Sequence, residues 1–150
     1  MRTRRSHWLA VCALVAYSTV LIQFVVFKAI PTIHIGHRIY RIAGTHTGPG
    51  NFVPLRTIAS QLNGRGNHLM AMVNLLGNIL PFMPIGLLAP LVFRSFSWPK
   101  ALSLGIFTGL ACEVMEAVFH VGIFDVDDVI LNALGVVLGY AVFAIFRHRK

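Results

Sequence analysis

The stretch "GLACEVMEAVFHVGIFDVDDVILNALGVVLGY", Gly109–Tyr140, holds every acidic residue of this 150-residue chain: Glu113, Glu116, Asp125, Asp127 and Asp128. Five carboxyl groups confined to one short stretch are not a solvated surface, which would scatter them. Apolar runs long enough to cross a bilayer flank the cluster on both sides. Gly105, Gly109, Glu113, Glu116 and His120 follow one another at helical intervals of four, four, three and four. At 3.6 residues per turn they predict one shared helix face, small at one end and ionisable at the other. Asp128, Asn132, Gly135 and Gly139 repeat the pattern on the next apolar run. Small residues let helix backbones approach in a membrane, and polar ones turn away from lipid toward the bundle interior.

Working outward, Ala101–Ile123 and Val129–Phe146 read as the last two of four transmembrane helices. Before them, "LMAMVNLLGNILPFMPIGLLAPLVF" (69–93) reads as the second. Its polar stripe is Asn74, Gly77, Asn78 and Pro81, and Pro81 with Pro84 predicts a kink or local unwinding. Trp8–Ile30 is the first span, interrupted only by Ser18, Thr19, Gln23 and Lys28. It is too long for a signal-peptide core, and "FKAIPTI" offers no small-residue cleavage site. Each span reaches or approaches the roughly 20 apolar residues that a bilayer core needs. Between the first two spans lies a long polar loop, with Gly-rich turn signals in "AGTHTGPGN" and "NGRGN". Within it, "NFVPLRTIASQL" (51–62) is too short to cross and predicts an interfacial or re-entrant segment. The whole is read as an all-α membrane protein, one polytopic domain over residues 1–150, with spans at 8–30, 69–93, 101–123 and 129–146.

Composition agrees. Hydrophobic residues make up 56% of the chain and charged residues 12%, with mean hydropathy +0.72. A soluble domain of this size cannot bury so much apolar surface. The net charge of +8 would suit nucleic acid on a soluble protein. Here it is assigned to flanks that meet anionic lipid, and no nucleic-acid partner is expected. Eight of the thirteen basic residues fall at the two termini and in the turn between spans two and three. By the positive-inside rule both termini are expected in the cytoplasm, and the long first loop and the carboxylates outside. Cys12 and Cys112 sit in apolar runs and read as small buried hydrophobes.

Bringing the three polar stripes together predicts an outward-facing cleft lined by Asn74, Asn78, Glu113, Glu116, His120, Asp127, Asp128 and Asn132. Arg56, in the semi-apolar piece of the first loop, is its candidate counter-ion. An intramembrane Glu113 must be protonated, paired or hydrogen-bonded to bear its desolvation. Glu116 and His120, four apart on a helix, have metal-ligand spacing, but no second His-rich motif joins them, and neither metal nor cofactor is expected. The three aspartates suit the positive end of the last helix's dipole, although one would suffice as a cap.

In order and spacing, "NFVPLRTI", "NLLGNILPFMPIGLLAP", "GLACEVMEAVF" and "FDVDDVILNALGVVLGY" resemble the VanZ-like membrane proteins. The resemblance runs from Asn51 to Tyr140 and rests on Asn-rich span two with Phe82, Pro84 and Gly86, on Glu113, and on Asp128, Asn132 and Gly135. It departs from the family pattern at Glu116, where Gln is common, and at "HVGIF", where an Arg commonly precedes the acidic turn. The resemblance implies a bacterial inner-membrane protein of a family whose namesake is linked to teicoplanin, a lipoglycopeptide. The leading expectation is a cleft that binds a membrane lipid or amphiphilic small molecule of the cell envelope. Two alternatives stand beside it. One is an intramembrane hydrolase or transferase on a lipid-linked substrate, with Glu113 or Glu116 as base and His120 as acid. The other is a helix-packing partner in a membrane assembly.

Overall fold

Among the described residues, four helices are long and apolar enough to cross a membrane: 4–25, 71–92, 98–118 and 126–147. The computed structural model describes residues 4–26, 32–35, 38–41, 49–63 and 68–148. The end of the predicted first span at 27–30, most of the first Gly-rich turn and the turn at 64–67 lie outside the described residues.

The elements run in order: α1 (Arg4–Val25), strands β1 (Thr32–Ile35) and β2 (Arg38–Arg41), α2 (Arg56–Asn63), α3 (His68–Ile79), a 3-10 turn (Leu80–Phe82), α4 (Met83–Val92), α5 (Trp98–Val118) and α6 (Val126–His148). The first loop thus carries a short antiparallel ladder as well as a helix, with Thr32 opposite Arg41 and Ile35 opposite Arg38. The alternation in "TIHI" and "RIYR" supports it, where sequence reading left only loop. The expected semi-apolar segment is α2.

Span two is broken where its prolines predicted. Pro81 is the second residue of the 3-10 turn, and Pro84 sits in the first turn of α4, where a missing N–H costs no helical bond. The hydroxyl of Tyr17 on α1 donates to the Pro81 carbonyl at 2.7 Å, so the neighbouring helix serves a carbonyl at the break. Phe82, Ile85, Leu21, Val26, Cys112 and Val136 form the core around it.

Helix α6 is central, with α5 along one side and α3–α4 along another. A Cβ on Gly105 would lie 2.7 Å from Ala133 Cα, and one on Gly109 would lie 3.1 Å from the Val129 carbonyl. These contacts set an antiparallel register between α5 and α6. Gly135 and Gly139 do not share it. They abut the backbone of span two, at the carbonyls of Ile79 and Met83, while Gly86 of α4 abuts Val136. The stripe on α6 therefore serves two neighbours rather than α5 alone, because a central helix must admit a close backbone on each side. Gly77 differs from all of these, since a Cβ there would meet nothing within 4 Å. It is not a packing glycine. Elsewhere the bundle wears an apolar coat: Leu9, Val15, Phe24, Leu76, Phe107, Val118 and Phe146 are all exposed. On a chain with four such helices, that coat is the lipid-facing surface.

Candidate functional site

The carboxylates gather where α5 ends and α6 begins. Helix α5 stops at Val118, five residues before the predicted end of span three. His120 takes the left-handed conformation at φ 55°, and the amides of Val121 and Gly122 fold back onto the Glu116 carbonyl at 3.0 and 3.4 Å. This is the usual way to satisfy the last carbonyls of a helix. Gly122 passes so close to the Glu116 carboxylate that a Cβ would collide with it. His120 therefore leaves the helical face it was predicted to share with Glu113 and Glu116. Its side chain is exposed beyond the last turn.

Three of the five acids are buried, Glu113 at 2% exposed, Glu116 at 7% and Asp127 at 0%, as is Asn132 at 1%, while Asp125 and Asp128 are half-buried. The described interactions show what covers several of them. Glu113 Oε2 accepts the Asp125 N–H at 2.7 Å, tying α5 to the start of α6. Asp125 Oδ1 accepts the Asp127 N–H at 2.9 Å, and its carbonyl accepts from Asp128 and Val129. Asp125 is therefore the N-cap of α6.

Asp127 turns the other way. Its carboxylate accepts the backbone N–H groups of Leu55, of Thr57 at 2.7 Å and of Ile58 at 3.1 Å. These are among the orphan donors at the start of α2, so an acid on one helix caps another. Leu55 holds φ 66° to present its N–H, a conformation that costs a residue with a Cβ of order 1 kcal/mol. Arg56, predicted as the counter-ion, is exposed at the first residue of α2. The positive partner of Asp127 is instead the backbone amide group of that helix, a donor set no residue name announces.

Sequence reading also missed Asn51 and Thr57. Asn51 Nδ2 donates to Asp125 Oδ1 at 2.9 Å and to Thr57 Oγ1 at 3.0 Å, while the Thr57 hydroxyl donates to Asp125 Oδ2 at 2.6 Å. The Asn51 backbone pairs in parallel with Asp125, through the Phe124 carbonyl at 2.8 Å and the Val126 N–H at 3.0 Å. Phe52 stacks on Phe124 at 5.2 Å between ring centroids. The signal for this clasp was Asn51 ahead of a short helix and Thr57 in its first turn.

The remaining predicted residues lie on α3 and on α6. Asn78 Nδ2 of α3 donates to Asp128 Oδ1, which joins span two to span four as the polar stripes required. Asn74, one turn earlier, is exposed. Asn132, one turn beyond Asp128, faces α5 at Gly109, and its buried Oδ1 has no hydrogen-bond partner among the described residues. No three His, Cys, Asp or Glu side chains among the described residues are grouped to hold a metal ion. The site thus divides. Asp125 and Asp127 with Asn51 and Thr57 clasp α2 onto the bundle. Half-buried Asn78 and Asp128 pair with each other, and Glu113 and Asn132 are buried on α5 and α6. A groove of about 410 Å³ along the start of α1 is lined by Arg4, Arg5, Trp8, Leu9 and Cys12.

Comparison with known proteins follows the same stretch of chain. Residues 14–147 match the family profile described as VanZ/LLP1. Over 71 residues the chain is 27% identical to Protein VanZ of Enterococcus faecium, covering 47% of this chain and 44% of that protein. The aligned stretch is therefore less than half the length of that relative. No solved structure matches.

Proposed function

The chain belongs to the VanZ/LLP1 family, and on that premise we propose that it binds the headgroup of an amphiphilic cell-envelope ligand at its polar end. The termini then face the cytoplasm of a bacterial inner membrane, and the carboxylate end, with α2 above it, faces outward. The observation that carries this reading is Asn132: a carboxamide buried in the bundle, with an acceptor that no described protein group uses. A buried unsatisfied acceptor costs about 1–3 kcal/mol, and a membrane interior offers little water to relieve it. A ligand donor would relieve it, and α2, held by the clasp, is the cover over the route.

The lipoglycopeptide link follows from the resemblance to the family's namesake and is part of the same proposal. A lipid-tailed antibiotic or its envelope target has the amphiphilic form this site suits. The test is co-purification. Wild-type protein extracted in mild detergent is expected to carry one class of amphiphile identifiable by mass spectrometry. Asn78→Ala and Asp128→Asn variants that elute as folded protein are expected to lose it. In a teicoplanin-sensitive host, expression of the wild type should raise the inhibitory concentration and the variants should not. Equal complements of bound lipid in all three proteins would refute the proposal.

A further inference from the structure

The groove at the start of α1 brings two kinds of side chain together. Arg4, Arg5, Trp8, Leu9 and Cys12 line about 410 Å³, within the roughly 300–1,000 Å³ of small-molecule sites. At this spacing the five share one helix face. Along it the chemistry changes in order: two guanidinium groups, then an indole, then a leucine and a thiol. Helix α1 is long and apolar enough to span a membrane, so that order runs from the membrane surface toward the acyl layer. Trp8 is 58% exposed at the level where indoles sit between headgroups and chains. The methylene stems of the two arginines extend the apolar wall.

Among the described residues, no side-chain carboxyl reaches these arginines. Consecutive spans cross a membrane in alternating directions. The start of α1 therefore shares one end of the bundle with the end of α4, the start of α5 and the end of α6. The first acid in the chain is Glu113, and α5 rises about 22 Å from Trp98 to reach it. That is more than two Debye lengths of about 8 Å at physiological salt. Arg94 and Arg147 are exposed at the same end and add to its positive potential. The charge of Arg4 and Arg5 is thus left to be met from outside the protein. A guanidinium fork matches phosphate oxygens two at a time. A zwitterionic headgroup would bring its own cation against the two arginines, whereas an anionic one would not. A free phosphate would use the arginines but leave the indole and the leucine uncovered.

We propose that this groove holds one anionic phospholipid, its phosphate against Arg4 and Arg5 and the first part of an acyl chain against Trp8, Leu9 and Cys12. The site is separate from the carboxylate end and stands whether or not a ligand binds there.

The experiment uses the full chain in detergent with three probes: dioleoylphosphatidylglycerol, dioleoylphosphatidylcholine and inorganic phosphate. Native mass spectrometry reads retained lipid. A maleimide reads the groove itself, because Cys12 is exposed and Cys112 buried. Phosphatidylglycerol is expected to be retained at one copy, at least tenfold better than phosphatidylcholine, and to slow Cys12 modification at least fivefold. The double variant Arg4→Gln/Arg5→Gln is expected to lose both effects without a change in melting temperature. Arg94→Gln/Arg147→Gln removes the same charge elsewhere at that end and is expected to keep both. Equal retention of the two lipids would overturn the proposal. So would an equal loss in the charge-matched variant, which would leave only a diffuse attraction to the basic end. Retention of phosphatidylglycerol with an unchanged Cys12 rate would place the lipid elsewhere and also overturn it. Protection of Cys12 by inorganic phosphate as strong as that by the lipid would leave an anion site and refute the phospholipid.

Discussion

Replacing Asp127 by Ala should free α2 while leaving the four spans in place. Asp127 accepts three backbone N–H groups at the start of α2. Charge-assisted bonds of this kind contribute about 1.5–3 kcal/mol each, but they share one carboxylate and are not additive. The freed amides lie at the end of the bundle, where water can take over part of the loss. A net cost of about 3 kcal/mol is therefore expected, a factor of roughly 150 in the opening equilibrium. Helix α2 has only eight residues, too few to persist once undocked, because isolated helices below about 12 residues are marginal. The loss should then appear along the whole element. Native-state hydrogen exchange reads it directly: amides from Thr57 to Leu62 should exchange about 100-fold faster in Asp127→Ala. The amides of α5 and the later turns of α6 should be unchanged, because Asp125 still caps α6. Asp127→Asn, which keeps one accepting oxygen, should fall between. Arg56→Ala should not increase exchange, since the side chain is exposed and the backbone donors are intact. Unchanged exchange in Asp127→Ala, or an equal rise in Arg56→Ala, would refute the assignment of the helix backbone as the partner of this acid.

Gly105→Ala and Gly77→Ala should move the melting temperature in opposite directions. At Gly105 the new Cβ would lie 2.7 Å from Ala133 Cα and force α5 from α6, at a cost of about 1–3 kcal/mol; at Gly77 the space is open, and helix propensity alone should stabilise by about 0.5–1 kcal/mol. Gly135→Leu should impair folding much more than Val137→Leu, and second-site changes that restore it should fall at Ile79 or Phe82 on span two rather than on α5, as a suppressor screen would read out. For orientation, reporter fusions after Lys150 and after Ser97 should read cytoplasmic and an insertion near Gly48 external, and an external C-terminus would reverse the assigned face of the polar end.

Chain chemistry alone determined the class of the protein. Four apolar runs admit no soluble fold, since each backbone polar group in lipid must be satisfied within its own helix. Proline in span two announced the break that Leu80–Phe82 makes, because a residue without an N–H cannot continue the helical ladder. Periodicity also placed Glu113, Asp128 and Asn132 on inward faces, and all three are buried or half-buried. What periodicity could not determine is which neighbour each face meets. The glycines of α6 looked like one stripe, yet Gly135 and Gly139 meet span two while Val129 and Ala133 meet α5, a choice made by the three-dimensional arrangement of helices. His120 left its predicted face because Gly122 and the left-handed turn end α5 early, a local competition between helix and turn that spacing does not register. Above all, the partner of Asp127 was invisible in the sequence. It is not a side chain but the backbone of α2, brought within hydrogen-bond range across some seventy residues of chain, and backbone donors acquire an address only when the chain has folded.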